Sequence, residues 1–559
     1  MLVAAASLAA WRWGTRMAEE SKRLDPASTP IHFSNGTILE GLGGYGLVRQ
    51  RRPEAGRLRS VALPGQADTT AAFERALAEL GIREQETISL EATEVWSSAG
   101  DRLTLRPALA ANDVAPCVVL YQDESGGVSW HYAQPAAGVS RPGLRAANPA
   151  PLFIIPLRTA EAQTSLRGGL ARRSLRGPIT IVGRKLFKVL ILPVLSALLG
   201  DPLRWFAEKV EQRHRPQRIW QPTPDNYRQP PAASEATVDW SRLRAGPVLL
   251  LVHGIFSSVE GMLAALPRSA MQRWYERYEG RVLAFNHPTA SASPEDNARQ
   301  LLEWIQRQLP GEPLVFDILC HSRGGIVART LAERGAELLP DNPCRFRSVY
   351  FVATPNAGSP LGDAEHLRDL IDVYTNCLSA FPDEPATYLA EVLLGLVTLA
   401  AYAITDELPG IAALGKRRGY IVDRLNRNPQ HSPALYGAAG ADFEPQPGRD
   451  NGWLIARCGR AADALMDRVF TLDGKALAND LVVPTDGVFA ANGHPSFPID
   501  DPLRYAAADG VWHTAFFAEP RTIAHIDAHF DRVRQAALAR RPSFRGGTAR
   551  GHPAGEVVP

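Results

Sequence analysis

A mostly apolar segment, residues 314–319, runs straight into Cys320-His321-Ser322-Arg323-Gly324-Gly325 and on into the helix-forming stretch IVARTLAERGAELL. A strand that turns into a helix across one serine holds that residue in a strained backbone position with its hydroxyl exposed, the arrangement of a nucleophile elbow. The positions two before and two after the serine must be small, because the backbones approach closely there. Gly324 meets this requirement, and Cys320 stands where glycine is usual, the one departure from the pattern. Ser322 is therefore the expected nucleophile. Its neighbour His321 should diverge from it in so tight a turn and pack or support the elbow. Cys320 should point into the fold and not react.

The flanking sequence predicts the sheet that such an elbow needs. From about Val238, strand and helix patterns alternate. Val248-Leu249-Leu250-Leu251-Val252 is continuously apolar, as in a strand buried on both faces. Further strands are expected at 281–285, 314–319, 348–352 and 434–438, with helices over 294–308 and 324–339. This alternation predicts an α/β fold, a mostly parallel sheet flanked by helices. A helical insertion at about 360–430 carries an almost wholly apolar stretch at 392–404. It is expected to be a cap, either as the core helix of a subdomain or as a lid over an acyl groove.

Val252-His253-Gly254-Ile255 follows the first strand of this domain. In hydrolases with this elbow, a turn after that strand supplies one amide for an oxyanion, and the residue after the nucleophile supplies the other. The expected donors are the backbone N–H groups of Ile255 and Arg323, each worth about 2.7–4 kcal/mol to such a transition state. The His253 side chain is expected to brace the loop.

The acid and base should follow the serine in that chain order. Asp480, in Asn479-Asp480-Leu481-Val482-Val483-Pro484, is expected at a strand end before an apolar turn, where a buried carboxylate can orient an imidazole. Asp486 is its rival, although Asp486-Gly487 suits a plain turn. His513 precedes the last amphipathic segment, 520–537, and is the expected base. His525 and His529, four apart within that segment, are expected to cover a helix face, and His494 is a further rival. Thr354-Pro355-Asn356-Ala357-Gly358-Ser359 is expected to shape a turn bordering the site.

The strings VHGIFSS at 252–258, CHSRGGIVAR at 320–329, ATPNAGSPL at 353–361, LPG at 408–410 and NDLVVP at 479–484 occur in that order. Together they resemble the bacterial lipase-like α/β-hydrolases, which include triacylglycerol lipases and the inositol-deacylating type. The resemblance covers roughly 240–535. It implies a Ser322–His513–Asp480 triad, an acyl-enzyme, no cofactor and no metal for the chemistry, and a small-molecule or lipid ester as substrate. A non-catalytic or regulatory binding module on the same fold, and an acyltransferase using the same triad, remain alternatives. A peptidase suits so apolar a cap less well.

The remainder of the 559 residues is expected to divide into an irregular segment at 1–60, a small α+β or β-rich domain at 61–176, an amphipathic helical segment with a linker at 177–237, and a disordered tail at 541–559, leaving 238–540 as the catalytic domain. Two runs, PCVVLYQ from Pro116 and VSWHYAQ from Val128, are expected as the strands of a hairpin, with Trp130 and His131 as packing or surface residues. In residues 180–212, basic residues flank an apolar run that contains Pro193. A helix packed between domains is expected there, with an interfacial segment in peripheral contact with a membrane as the alternative.

The 61 Lys and Arg nearly balance the 59 Asp and Glu, so no global field favours nucleic acid. Five scattered cysteines without a CxxC pair indicate neither a disulfide framework nor a zinc site, and a reducing cytoplasmic location is expected. The N-terminal apolar run is about ten residues, short of the ~20 needed to span a bilayer. Without a preceding positive residue it makes a poor secretory signal.

Overall fold

Five successive apolar residues leave a strand no face for water, and Val248–Val252 is buried throughout. In the computed structural model this strand, β2, lies inside a seven-stranded sheet. The others are β1 (Arg218–Trp220), β3 (Val282–Asn286), β4 (Leu314–His321), β5 (Cys344–Val352), β6 (Leu435–Ala441) and β7 (Pro502–Tyr505). Their spatial order is β1-β3-β2-β4-β5-β6-β7, with β1 antiparallel at one edge and every other pairing parallel. This is the mostly parallel sheet flanked by helices that the sequence predicts. The structure describes residues 18–24, 30–52, 81–97, 102–108, 117–122, 128–134, 151–156, 183–192, 215–232, 238–362, 408–444, 471–491 and 502–539, less 343, 431, 433, 473 and 474, with scattered positions between these stretches.

The side chains of β2 alternate between two apolar cores. Val248, Leu250 and Val252 pack with Leu301, Leu302 and Ile305 of α2 (Pro294–Gln308) and with Val327, Ala328 and Leu331 of α3 (Gly324–Leu338). Leu249 and Leu251 face the opposite layer, with Met271 and Trp274 of α1 (Arg268–Arg277) and Ile526 and Phe530 of α4 (Pro520–Ala539). Each such side chain contributes about 1.5–3 kcal/mol on burial. Ser293 and Asp296 form a capping box that fixes the start of α2.

The N-terminal half is β-rich, and two expectations for it are corrected. Residues 1–60 are not irregular throughout: Ala18–Leu24 and Leu42–Arg52 pair as antiparallel strands. Nor are residues 183–191 helical. Gly183–Ile191 is an inner strand between Arg83–Ser97 and Cys117–Gln122 of a six-stranded antiparallel sheet. Its apolar residues fill a core shared with a second, four-stranded sheet through Phe153 and Ile155. Lys185 and Lys188 look like basic flanks in sequence, yet both are buried, Lys188 against Glu84 at 3.3 Å. They are thus unavailable to a membrane surface. Residues 193–207, 363–367 and 541–559, and most of 376–407, lie outside the described residues. Among the described residues no helix is long and apolar enough to cross a membrane.

Cys117 and Val128 fall on paired strands as expected. Trp130 is buried, and its indole N–H donates to Thr375 Oγ1 at 2.8 Å while its amide donates to the Asp372 carboxylate. The N-terminal sheet therefore abuts the insertion that follows β5.

One buried polar cluster fastens α3 to the sheet. The Arg329 guanidinium meets Glu333 at 2.8 Å, and the same carboxylate takes His494 Nε2 and the Tyr436 hydroxyl, both at 2.9 Å. Removing a buried partner leaves the guanidinium uncompensated, at a typical cost of about 3–5 kcal/mol. Glu333→Ala is expected to lower the unfolding free energy of the domain that carries the seven-stranded sheet by that amount in urea titration. A loss below about 1 kcal/mol would show the cluster to be dispensable.

Candidate active site

The site forms at the carboxyl ends of the parallel strands, where open α/β sheets bind ligands. At the end of β4, Ser322 sits at φ 51°, a left-handed conformation that costs a non-glycine residue about 1–3 kcal/mol. Its amide donates to the Val352 carbonyl of β5 at 2.8 Å, and α3 begins two residues later. The small-residue requirement is explicit. A Cβ on Gly324 would lie 2.4 Å from the His253 carbonyl oxygen, and one on Gly254 would lie 2.8 Å from the Ser322 Cβ. Cys320 is tolerated because its side chain is fully buried and its thiol donates to the Tyr350 carbonyl at 3.3 Å. Burial pushes that thiol far above its ordinary range, so it is not a nucleophile.

His513 lies in the loop between β7 and α4. Its Nδ1 is 2.9 Å from Asp480 Oδ2, and its amide donates to the Asp480 carbonyl at 3.0 Å. The other carboxylate oxygen accepts the Val482 and Val483 amides at 3.0 and 2.7 Å. Asp480 does not end a strand, contrary to expectation. It occupies a turn closed by the Asn479–Pro484 bridge and pinned to the end of β6, where the Phe443 amide donates to the Asn479 carbonyl. Leu481, at φ 81°, gives that turn its tight shape.

His321 joins the elbow to this pair. Its Nε2 is 2.8 Å from the His513 carbonyl oxygen, and its ring centroid is 4.8 Å from that of His513. Burial holds its pKa down at about 3, so it stays neutral and serves as a brace for the loop carrying His513. No hydrogen bond joins the Ser322 hydroxyl to His513. Such bonds commonly tighten only when substrate is bound.

The expected rivals stand elsewhere. Asp486 is exposed and pairs with Arg504. His525 bonds the Tyr350 hydroxyl, His529 packs on the Tyr350 ring, and His494 belongs to the Glu333 cluster. Thr354 packs on the elbow helix, where a Cβ on Gly325 would strike its side chain at 2.1 Å. Asn356 is held by Arg329 and by the Val488 carbonyl, so this loop is structural.

Among the described residues, neither the Ile255 nor the Arg323 amide has an acceptor. The His253 side chain braces the turn as expected, with Nδ1 at 2.9 Å from the Gly254 carbonyl oxygen and Nε2 accepting the His287 amide at 3.0 Å. Sequence reasoning missed what fixes Arg323. The Arg323 side chain is fully buried and reaches the Gly410 carbonyl, Asn297 Oδ1 and the Ala292 carbonyl. Burial lowers its pKa to about 10, with Glu211 and Asp296 opposing the shift. No local pattern announces these partners, because all are distant in sequence.

A family model described as a domain of unknown function, DUF7379, matches residues 214–531. The chain belongs to the DUF7379 family. No curated protein matches it. Among solved structures it is similar to the mature form of the Bacillus licheniformis lipase BlEst2, at 14% identity and a TM-score of 0.30 over 57% of this chain and 97% of that one. It is also similar to lipase 1 from Pelosinus fermentans, at 12% identity and a TM-score of 0.34 over 52% and 98%. Superpositions this loose carry no argument, and the architecture of this DUF7379 member rests on its own strand order and elbow.

The buried imidazoles set a pH dependence. Burial lowers His253 and His321 to about 3 and His287 well below 6.5. Below pH 6.5 the unfolded chain then binds protons that the folded chain refuses, so stability falls with acid. Urea titrations between pH 7 and 5 should show a falling unfolding free energy, approaching a slope of roughly one proton per buried imidazole, about 1.4 kcal/mol per pH unit each. A stability unchanged over that range would contradict the neutral, buried assignment.

Proposed function

We propose that this chain is a serine hydrolase that cleaves carboxylic esters bearing an apolar acyl group. The observation that carries the reading is the buried Asp480–His513 pair, tied through His321 to the turn that holds Ser322. An imidazole whose Nδ1–H is engaged by a carboxylate presents Nε2 as a base. A serine in a strained turn at a helix start is the group such a base would serve.

In this mechanism His513 Nε2 takes the Ser322 hydroxyl proton as the oxygen bonds to the ester carbonyl carbon. The π electrons of the carbonyl move to its oxygen, and the Ile255 and Arg323 amides receive the charge. When the tetrahedral adduct collapses, the carbon–oxygen bond to the alcohol breaks and His513 protonates the leaving oxygen. Water then repeats the sequence on the acyl-enzyme. It gives a proton to Nε2 as its oxygen attacks, and Ser322 recovers a proton as the acid departs. Asp480 stays ionised and keeps the imidazole in its working tautomer.

The apolar preference is supported by what surrounds the first oxyanion donor. Ile255 and Tyr420 pack against a cluster of Ile326, Leu414, Ile421 and Leu425, and Ile326 lies four residues beyond Ser322. Such a wall favours an alkyl chain over a charged or peptide group.

A p-nitrophenyl ester series from acetate to palmitate tests the reading. The parent should hydrolyse these esters, Ser322→Ala should be inactive, and Asp480→Asn should lower kcat by about four orders of magnitude, as the wrong tautomer does in other serine hydrolases. Hydrolysis by Ser322→Ala at the parent rate, or no hydrolysis of any ester by the parent, would overturn it.

A further inference from the structure

Glu211 is a buried carboxylate that the triad does not use. It lies in a helical turn just before residue 214, where the family match begins. A lone buried carboxylate is costly unless its oxygens are satisfied. Here one oxygen accepts the Thr289 amide, the Thr289 hydroxyl and the Ala290 amide, and the other accepts the Ser291 amide and hydroxyl. The whole carboxylate is therefore spent on a single loop, residues 287–292, which follows β3.

That loop touches both walls of the oxyanion site. Thr289 Oγ1, its proton given to Glu211, accepts the Phe256 amide at 3.1 Å. Phe256 directly follows the first donor, Ile255, and sits at φ 49°, so its turn needs such an anchor. At the other end of the loop, the Ala292 carbonyl accepts the guanidinium of Arg323, the second donor. Midway, the Ala290 carbonyl accepts the Gly410 amide at 3.0 Å, and Gly410 in turn presents its own carbonyl to Arg323. A Cβ on Gly410 would lie 1.9 Å from the Thr289 carbonyl oxygen, so the two loops are in close contact.

We propose that Glu211 is a positioning residue for ester hydrolysis, which sets the oxyanion-binding amides of Ile255 and Arg323 by fixing the 287–292 loop. The proposal rests on the hydrolase reading above. It also makes the segment just outside the matched domain part of the catalytic apparatus. A carboxylate is needed because five donors converge on it. A glutamine would offer one acceptor oxygen and turn its own N–H donors against the remaining amides and hydroxyl.

The test uses the full chain and a p-nitrophenyl ester that the parent hydrolyses. Glu211→Gln is expected to lower kcat by about ten- to a hundredfold, part of the effect of losing one oxyanion donor outright, with KM within about twofold of the parent. Inhibition by an alkyl trifluoromethyl ketone, which forms an oxyanion adduct on the nucleophile, should weaken by the same factor as kcat/KM. A merely structural role would reduce the active fraction and leave that inhibition constant unchanged. Thr289→Val, which removes the hydroxyl that joins Glu211 to the Phe256 amide, should show the same split, and Thr289→Ser should restore the parent values. Should Glu211→Gln fail to fold, the Thr289 pair decides. An active parent whose folded Glu211→Gln and Thr289→Val variants keep kcat and the inhibition constant overturns this proposal alone. A parent that hydrolyses no ester overturns the hydrolase reading and this proposal with it.

Discussion

The strained backbone at Ser322 is the constraint on which the rest of the seven-stranded half depends. A residue at φ 51° between a strand and a helix persists only where its surroundings over-determine it. The surroundings here are a set of close approaches. Gly324 lies against the carbonyls of Val252 and His253, Gly254 against Ser322 itself, and Gly325 against Thr354. The central strands must therefore be parallel, adjacent and sealed on both faces, which the alternating side chains of β2 achieve. In the proposed mechanism the same geometry carries the two oxyanion donors, the Ile255 and Arg323 amides, which have no acceptor among the described residues.

Around that turn the buried polar groups fall into two kinds of surroundings. His253, His287 and His321 are kept neutral by burial and serve as braces between loops. His513 has a carboxylate partner whose remaining oxygen is occupied by backbone amides, so the pair is held without a competing cation. A second buried histidine–carboxylate pair, His494 with Glu333, shares its carboxylate with Arg329 and is thereby spent on holding α3 to the sheet. Two chemically similar pairs thus have different roles, decided by what else reaches the carboxylate.

The legible parts of the sequence were those governed by local pattern. A continuous apolar run marked β2, a mostly apolar one marked β4, and the spacing around Ser322 marked the elbow. Gly183–Ile191 was misread because basic residues beside an apolar run look alike whether they flank an interfacial helix or are buried in a sheet, as Lys188 is against Glu84. Asp480 was found, but not its turn, which depends on contacts with the distant end of β6. The supports of the proposed oxyanion site were invisible for the same reason. Nothing near Glu211, Thr289 or Asn297 in sequence shows that they converge on Phe256 and Arg323.

The most direct measurement is mass spectrometry of the full chain after reaction with an alkyl fluorophosphonate. The account requires one covalent adduct, on the peptide carrying Ser322, lost in Ser322→Ala and strongly slowed in His513→Ala. An adduct on another residue, or none on a folded protein, would contradict it.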